Sequence, residues 1–141
     1  MKIALDPGAI LPTRAHPYDA GLDLYAPASE GVYTIMPCGG SVVIDTGTHV
    51  QIPEGCAGVI MSKSGLNTNH GLTCTGLIDA HYTGAIKVKL YNHHPCLRYD
   101  VRPGDKIAQL VILPCVLPPL EPVDRLEETD RGNNGFGSTG R

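Results

Sequence analysis

Ala85-Ile-Lys-Val-Lys-Leu-Tyr-Asn92 alternates apolar and charged side chains, with Ile86, Val88 and Leu90 interleaved by Lys87 and Lys89. A period of two is the signature of a strand with one buried and one wet face. Working outward, the runs 41–44, 49–52, 57–61, 72–78 and 106–113 are short, rich in β-branched residues and separated by Gly, Pro, Asn or Asp. That spacing predicts an all-β barrel or sandwich. Seventeen Gly and twelve Pro in 141 residues oppose long helices. The one helix candidate is a short piece after Ser64-Gly65, weakened by Asn67, Thr68 and Asn69. Pro53-Glu-Gly55 and Val101-Arg-Pro-Gly-Asp105 place Pro and Gly for tight turns. From Pro114 the chain becomes Pro-rich and then acidic, as an extended arm would. We therefore read residues 1–117 as one barrel and 118–141 as an arm of the same domain.

Charge and cysteine content narrow the function classes. The net charge is −3 and no basic stripe is present, so a nucleic-acid partner is not expected. No apolar run is long enough to span a membrane, and no signal-like segment opens the chain, so no membrane partner is expected. Cys38, Cys56, Cys74, Cys96 and Cys115 are scattered, odd in number and lack a C-x-x-C pair. Reduced thiols in a cytoplasmic or nuclear compartment are the expectation. His93-His94-Pro95-Cys96 reads as a polar turn, with a metal site as its alternative.

Five blocks depart from plain strand-and-turn grammar. In Ala20-Gly-Leu-Asp-Leu-Tyr-Ala26, the carboxylate of Asp23 sits in an apolar run and must be paired, structural or near a cation. Ser62-Lys-Ser-Gly-Leu-Asn67 gathers hydroxyls, a cation and a glycine, a set suited to phosphate, but lacks Walker spacing. In Leu72-Thr-Cys-Thr-Gly-Leu-Ile-Asp-Ala-His-Tyr-Thr-Gly84, Asp79 ends a strand-like run beside Tyr82, where it could take a proton from water. His81 is the alternative base. Gln109 interrupts the apolar run after Gly104-Asp-Lys, and a buried amide needs partners. The fifth block is Arg131-Gly-Asn-Asn-Gly-Phe-Gly-Ser-Thr-Gly-Arg141. It holds Phe136, the only phenylalanine of a chain without tryptophan, beside a cation, two hydroxyls and unhindered backbone N–H groups. Such a segment can hold a planar ring and a polyphosphate together, or it can be a disordered terminus.

Taken in order, these blocks resemble the five motifs of the trimeric dUTPases, from about residue 20 to residue 140. The resemblance implies a distorted jelly-roll barrel of the dUTPase type assembled as a homotrimer. It implies hydrolysis of dUTP to dUMP and pyrophosphate by attack of water on the α-phosphate, with Mg²⁺ on the triphosphate. That activity keeps uracil out of DNA and supplies dUMP for thymidylate synthesis. It further implies three sites, each drawing on all three chains, with the arm closing over a neighbour's nucleotide. Residues 118–140, extended at about 3.3 Å per residue, reach roughly 70 Å, against a radius of gyration of about 14 Å for a domain of this size.

By the same resemblance, Asp79 is the general base and Gln109 lies near the α-phosphate and the attacking water. Thr73, Gly76, Ile78, Tyr82 and Phe136 contact base and sugar, with Tyr82 under the deoxyribose and Phe136 stacked on uracil. Lys63, Ser64, Gly65, Gln109, Arg131, Gly137, Ser138 and Thr139 contact phosphates. Asp23 meets the metal indirectly, through water. Lys63 stands where the family usually has Arg, Thr73 where some members use Asn, and His81 where many have Asp. A dCTP deaminase-like enzyme would need a glutamate in the third block, where this chain has Asp79. A non-catalytic interaction protein of the same fold is the other alternative.

Overall fold

The computed structural model describes residues 1–130 and 132. The alternating stretch is a strand, β8 (Ala85–Asn92), whose Ile86, Val88, Leu90 and Asn92 are buried while Lys87 and Lys89 face solvent. Its partner β4 (Gly40–Gln51) runs antiparallel, with Ile44 opposite Val88 and Val42 opposite Leu90. Sequence reading expected two strands there, 41–44 and 49–52. The structure corrects this to one strand bent by a bulge between Asp45 and His49. Gly47 takes φ +60°, a left-handed conformation that favours glycine. Within the bulge, the Thr46 hydroxyl donates to the Ile86 carbonyl at 2.8 Å, so the interrupted ladder remains satisfied.

Two four-stranded antiparallel sheets and one two-stranded sheet make up the barrel. β1 (Lys2–Leu5), β4, β8 and β6 (Leu72–Thr73) form the first, in that order. The second has the order β2 (Gly21–Tyr25), β10 (Lys106–Pro114), β5 (Cys56–Met61), β7 (Thr75–Ile78). β3 (Tyr33–Ile35) pairs with β9 (Tyr99–Val101). This is the double-sheet, jelly-roll organisation expected, and it is all-β but for one short helix. The core lies between the sheets, where Leu24, Ile35, Ile44, Ile86, Ala108 and Leu110 are fully excluded from water. Each such aliphatic side chain beyond alanine contributes about 1.5–3 kcal/mol by burial.

Three features of the connections position the site. The expected strand 72–78 is broken at Cys74, and its halves belong to different sheets. The break is clamped by Ser62, whose hydroxyl accepts from Cys74 N at 2.8 Å and donates to Cys74 O at 3.1 Å. The short helix does form, as α1 (Ser64–His70), and stops at Gly71, whose φ of +67° closes a left-handed cap. The 93–96 run is a polar turn. His94 Nδ1 accepts from Leu97 N at 2.9 Å, and buried Asn92 donates to the carbonyls of Ile35 and Leu97 at 3.0 and 2.9 Å. After β10, residues 115–130 contain no helix or strand, and Val116, Leu117, Leu120 and Leu126 are exposed.

Candidate active site

β2, β10 and β5 lie side by side, with Gln109 of β10 opposite both Asp23 of β2 and Met61 of β5. This register gathers side chains from three distant parts of the sequence. Lys63 donates to Asp23 Oδ1, and Lys106 Nζ lies 2.8 Å from Asp23 Oδ2. Asp23 is buried, so desolvation pushes its carboxyl upward; the two ammonium groups outweigh this and hold it below its ordinary value. Lys106, tied to the carboxylate, is shifted upward in turn. Gln109 Nε2 donates to Ser62 O at 3.1 Å. Gly21 makes room for that amide, since a Cβ there would lie 2.3 Å from Gln109 Oε1. Asp23, Lys63 and Gln109 line one open cleft of about 440 Å³, with Ser64 and Gly65 exposed at the adjoining start of α1. Asp19 also lines the cleft, so the two lysines are matched by two carboxylates, and a polyphosphate would have to compete with Asp23 for Lys63 and Lys106.

Lys106 was not among the residues singled out in the sequence. In a regular strand, residues 106 and 109 point to opposite faces. A bulge between Lys106 and Ala108 reverses the alternation and brings Lys106 onto the side of Asp23. Two successive buried residues, Ile107 and Ala108, are its trace.

The second group lies along β6, β7 and the loop to β8. The Thr73 hydroxyl is 2.8 Å from His93 Nε2. A Cβ on Gly76 would come within 3.2 Å of Ile60 Cδ1, so glycine lets β7 lie close on β5. Ile78 is buried, which leaves its backbone as the part able to meet a ligand. Asp79 follows at the end of β7 and is exposed, and Tyr82 N donates back to its carbonyl at 3.1 Å, closing a turn. The Tyr82 hydroxyl donates to Ala85 O at 3.0 Å, and the ring covers Gly84, where a Cβ would lie 2.5 Å from Oη. Gly84 and Ala85 thus fix Tyr82, a role that sequence reading did not assign.

The structure does not bring the two groups together within one chain. β7 runs antiparallel to β5 with Thr75 opposite Met61 and Ile78 opposite Gly58. Gln109 is level with Met61, so Asp79 lies four residues further along, an offset of roughly 13 Å in the strand direction at about 3.3 Å per residue, with β5 between the two strands. Arg131, Phe136, Gly137, Ser138 and Thr139 lie outside the described residues.

Mg²⁺ takes oxygen ligands and keeps several waters. No cluster of three or more His, Cys, Asp or Glu side chains suited to a metal occurs among the described residues. Both oxygens of Asp23 already face ammonium groups. This fits an ion held chiefly by a ligand's own phosphate oxygens, with Asp23 reaching at most its water shell.

Comparison with known proteins identifies the family. The sequence profile of the dUTPase family matches residues 8–140. A deoxyuridine 5'-triphosphate nucleotidohydrolase of Rhodococcus erythropolis is 43% identical over 139 residues, covering 96% of this chain and 82% of the relative. A probable deoxyuridine 5'-triphosphate nucleotidohydrolase of Schizosaccharomyces pombe is 42% identical over 133 residues, covering 94% and 91%. Among solved structures, the Staphylococcus bacteriophage 80alpha dUTPase with dUpNHpp superposes with a TM-score of 0.88 at 32% identity, covering 99% of this chain and 98% of that one. A mutant dUTPase of the S. aureus phage phi11, described with a structural Mg(II) ion, gives 0.79 at 29% identity and covers 90% and 98%. Matched over nearly its whole length in sequence and in fold, the chain belongs to the dUTPase family.

Proposed function

We propose that this protein hydrolyses dUTP to dUMP and pyrophosphate, by attack of water on the α-phosphorus, and that three copies assemble to do so. The observation that carries the reading is Asp79. It is an exposed carboxylate at the end of β7, on the loop that also holds Tyr82, in a chain of the dUTPase family. Asp79 takes the proton from the attacking water. Tyr82 lies under the deoxyribose, where its ring leaves no room for a 2′-hydroxyl. The backbone of residues 72–76 reads the uracil edge in a hairpin too narrow for a methyl group. Lys63, Ser64, Gly65 and Gln109 hold the phosphates, and Lys106 adds positive charge beside them. Arg131, Phe136, Gly137, Ser138 and Thr139 close the site as part of the C-terminal arm. Mg²⁺, when bound with the triphosphate, supplies charge neutralisation on the phosphate oxygens.

Two observations support assembly. The phosphate-side cluster and Asp79 stand roughly 13 Å apart along one chain's strands, too far to act on one phosphorus atom, so a second copy completes the site. The segment after β10 carries Val116, Leu117, Leu120 and Leu126 exposed in the isolated chain, apolar surface that a neighbour would cover. Sedimentation should then give three times the 15.0 kDa chain mass.

The deciding experiment is pyrophosphate release from dUTP, dCTP, dTTP and UTP, run on the wild type and on Asp79→Asn. Release from dUTP alone, lost in the variant with nucleotide binding kept, supports the reading. Ammonia release from dCTP would favour a deaminase. Undiminished hydrolysis by Asp79→Asn would move the base to His81.

A further inference from the structure

Residues 79–84 leave β7 and return at β8, and most of their side chains are exposed. Within the loop, the Tyr82 N–H to Asp79 carbonyl bond closes the turn. From the barrel, one side chain reaches across to the loop backbone. His49 Nδ1 lies 2.8 Å from the carbonyl oxygen of Thr83. The other ring nitrogen, Nε2, lies 3.2 Å from Asp6 Oδ2. His49 stands just after the β4 bulge, opposite Ala85 on one side and Ala4 on the other. Asp6 is itself held to that bulge, its N–H donating to Gly47 O at 2.9 Å. The order Asp6, His49, Thr83 is therefore a tether from a fixed bulge to a loop.

We propose that His49 is a positioning residue for the loop that carries Asp79 and Tyr82, pre-ordering it for the nucleotide. The proposal rests on the reading of that loop as the sugar-binding and proton-accepting element. A tether of this kind acts on the empty protein. Without it the loop samples other conformations, and nucleotide binding must first restore the competent one, which weakens apparent affinity by the fraction lost. Once nucleotide is bound, the loop is ordered by its contacts and turnover is unaffected. The expected signature is a rise in KM at nearly constant kcat.

The chemistry of the ring adds a pH dependence. A carbonyl and a carboxylate can only accept, so the ring satisfies both only as the imidazolium, with N–H on each nitrogen. The carbonyl of Thr83, then Asp6, draws the His49 pKa above its ordinary value, against the smaller opposing effect of desolvation. The tether is complete at pH below about 6.5, the ordinary histidine value, and loses one of its two bonds as pH rises through the raised value. The other charged groups nearby are few. Asp45 lies on the same strand and pairs with Lys87 of β8 at 3.7 Å, and Lys2 of β1 lines the groove shared by Asp6, His49 and Thr83. The loop contributes Asp79, His81 and Tyr82 as its own titratable side chains.

The test uses three variants of the full-length protein, read by dUTP kinetics and by backbone hydrogen exchange without nucleotide. His49→Leu removes both bonds and should raise KM roughly three- to tenfold, the net worth of one ordinary hydrogen bond, while kcat stays within about twofold. Exchange should quicken at residues 79–84 and stay slow in the β8 core. His49→Asn, whose amide N–H falls where Nδ1 sits, should recover most of the loss. Asp6→Asn should move the alkaline inflection in 1/KM to lower pH, because an amide supports the neutral ring. An unchanged KM and loop exchange in His49→Leu, while Asp79→Asn still abolishes turnover, would overturn the tether and leave the function standing. Faster exchange in loop and core alike would reduce His49 to a structural residue and also overturn it. A loosened loop in a protein whose Asp79→Asn variant still hydrolyses dUTP would support the tether and sink the assigned role of the loop.

Discussion

Asp23→Asn separates charge from shape at the centre of the phosphate-side cluster. The amide matches the carboxylate in size, so shape is preserved and only the charge is lost. In the wild type, both oxygens are engaged, Oδ1 by Lys63 and Oδ2 by Lys106 at 2.8 Å. Two unit charges about 4 Å apart interact by about 4 kcal/mol at an effective dielectric of about 20, and by about 1 kcal/mol in water. The carboxylate side chain is 8% exposed, but its partners are 27% and 43% exposed and can swing into solvent. Solvent screening and this freedom bring the expected loss to about 1–2 kcal/mol. With a urea m-value of about 2 kcal/mol/M, the midpoint should fall by roughly 0.5–1 M. Protein concentration must be held constant, since subunit association contributes to apparent stability.

The pH dependence supplies the sharper check. A carboxyl whose folded pKa is depressed stabilises the protein above the unfolded value of about 3.9. That contribution disappears as pH falls through the depressed folded value. Urea midpoints of wild type and variant should therefore differ fully at pH 6 and converge in acid. Equal midpoints at pH 6 would refute the idea that the lysines stabilise the fold through Asp23. A gap that persisted undiminished in acid would show that the loss came from shape.

Gly21→Ala would place a methyl group 2.3 Å from Gln109 Oε1. A side-chain amide can move, so stability should change by less than about 1 kcal/mol, whereas dUTP turnover should fall about as far as in Gln109→Ala. Gly84→Ala would press on the Tyr82 ring, displace it from Ala85 O and raise the KM for dUTP severalfold with the circular-dichroism spectrum unchanged. Removal of residues 131–141 should leave thermal unfolding and sedimentation intact while turnover collapses, because the core named above lies wholly before them. Leu110→Ala, at a fully buried position, should cost about 2–5 kcal/mol in chemical unfolding.

Legibility in the sequence followed local physics. β8 was readable because one of its faces is wet, which imprints lysines between aliphatics. β2 was not, because Asp23 and Leu24 are both buried and the alternation disappears. β1 and β9 are short, and β3 has only three residues, too few to establish a period. The bulges in β4 and β10 were invisible, since each depends on a partner strand far away in sequence. Gln109 stood out as an amide in an apolar run and does find a carbonyl partner. Lys106 did not, because only the bulge turns it toward Asp23.

By itself, the sequence determined the all-β class, the short helix at Ser64, the turns and the chemical identity of the reactive side chains. Those depend on spacing, backbone preference and functional groups, which are local properties. The tertiary structure alone decided which of these side chains meet. Strand order put Asp23 between two lysines and tied Thr83 to His49. Strand register set Asp79 apart from Gln109, because β10 and β7 flank β5 with Gln109 and Thr75 both level with Met61, and Asp79 lies four residues beyond Thr75. Contacts of that kind arise from long-range pairing, and no local pattern along the chain encodes them.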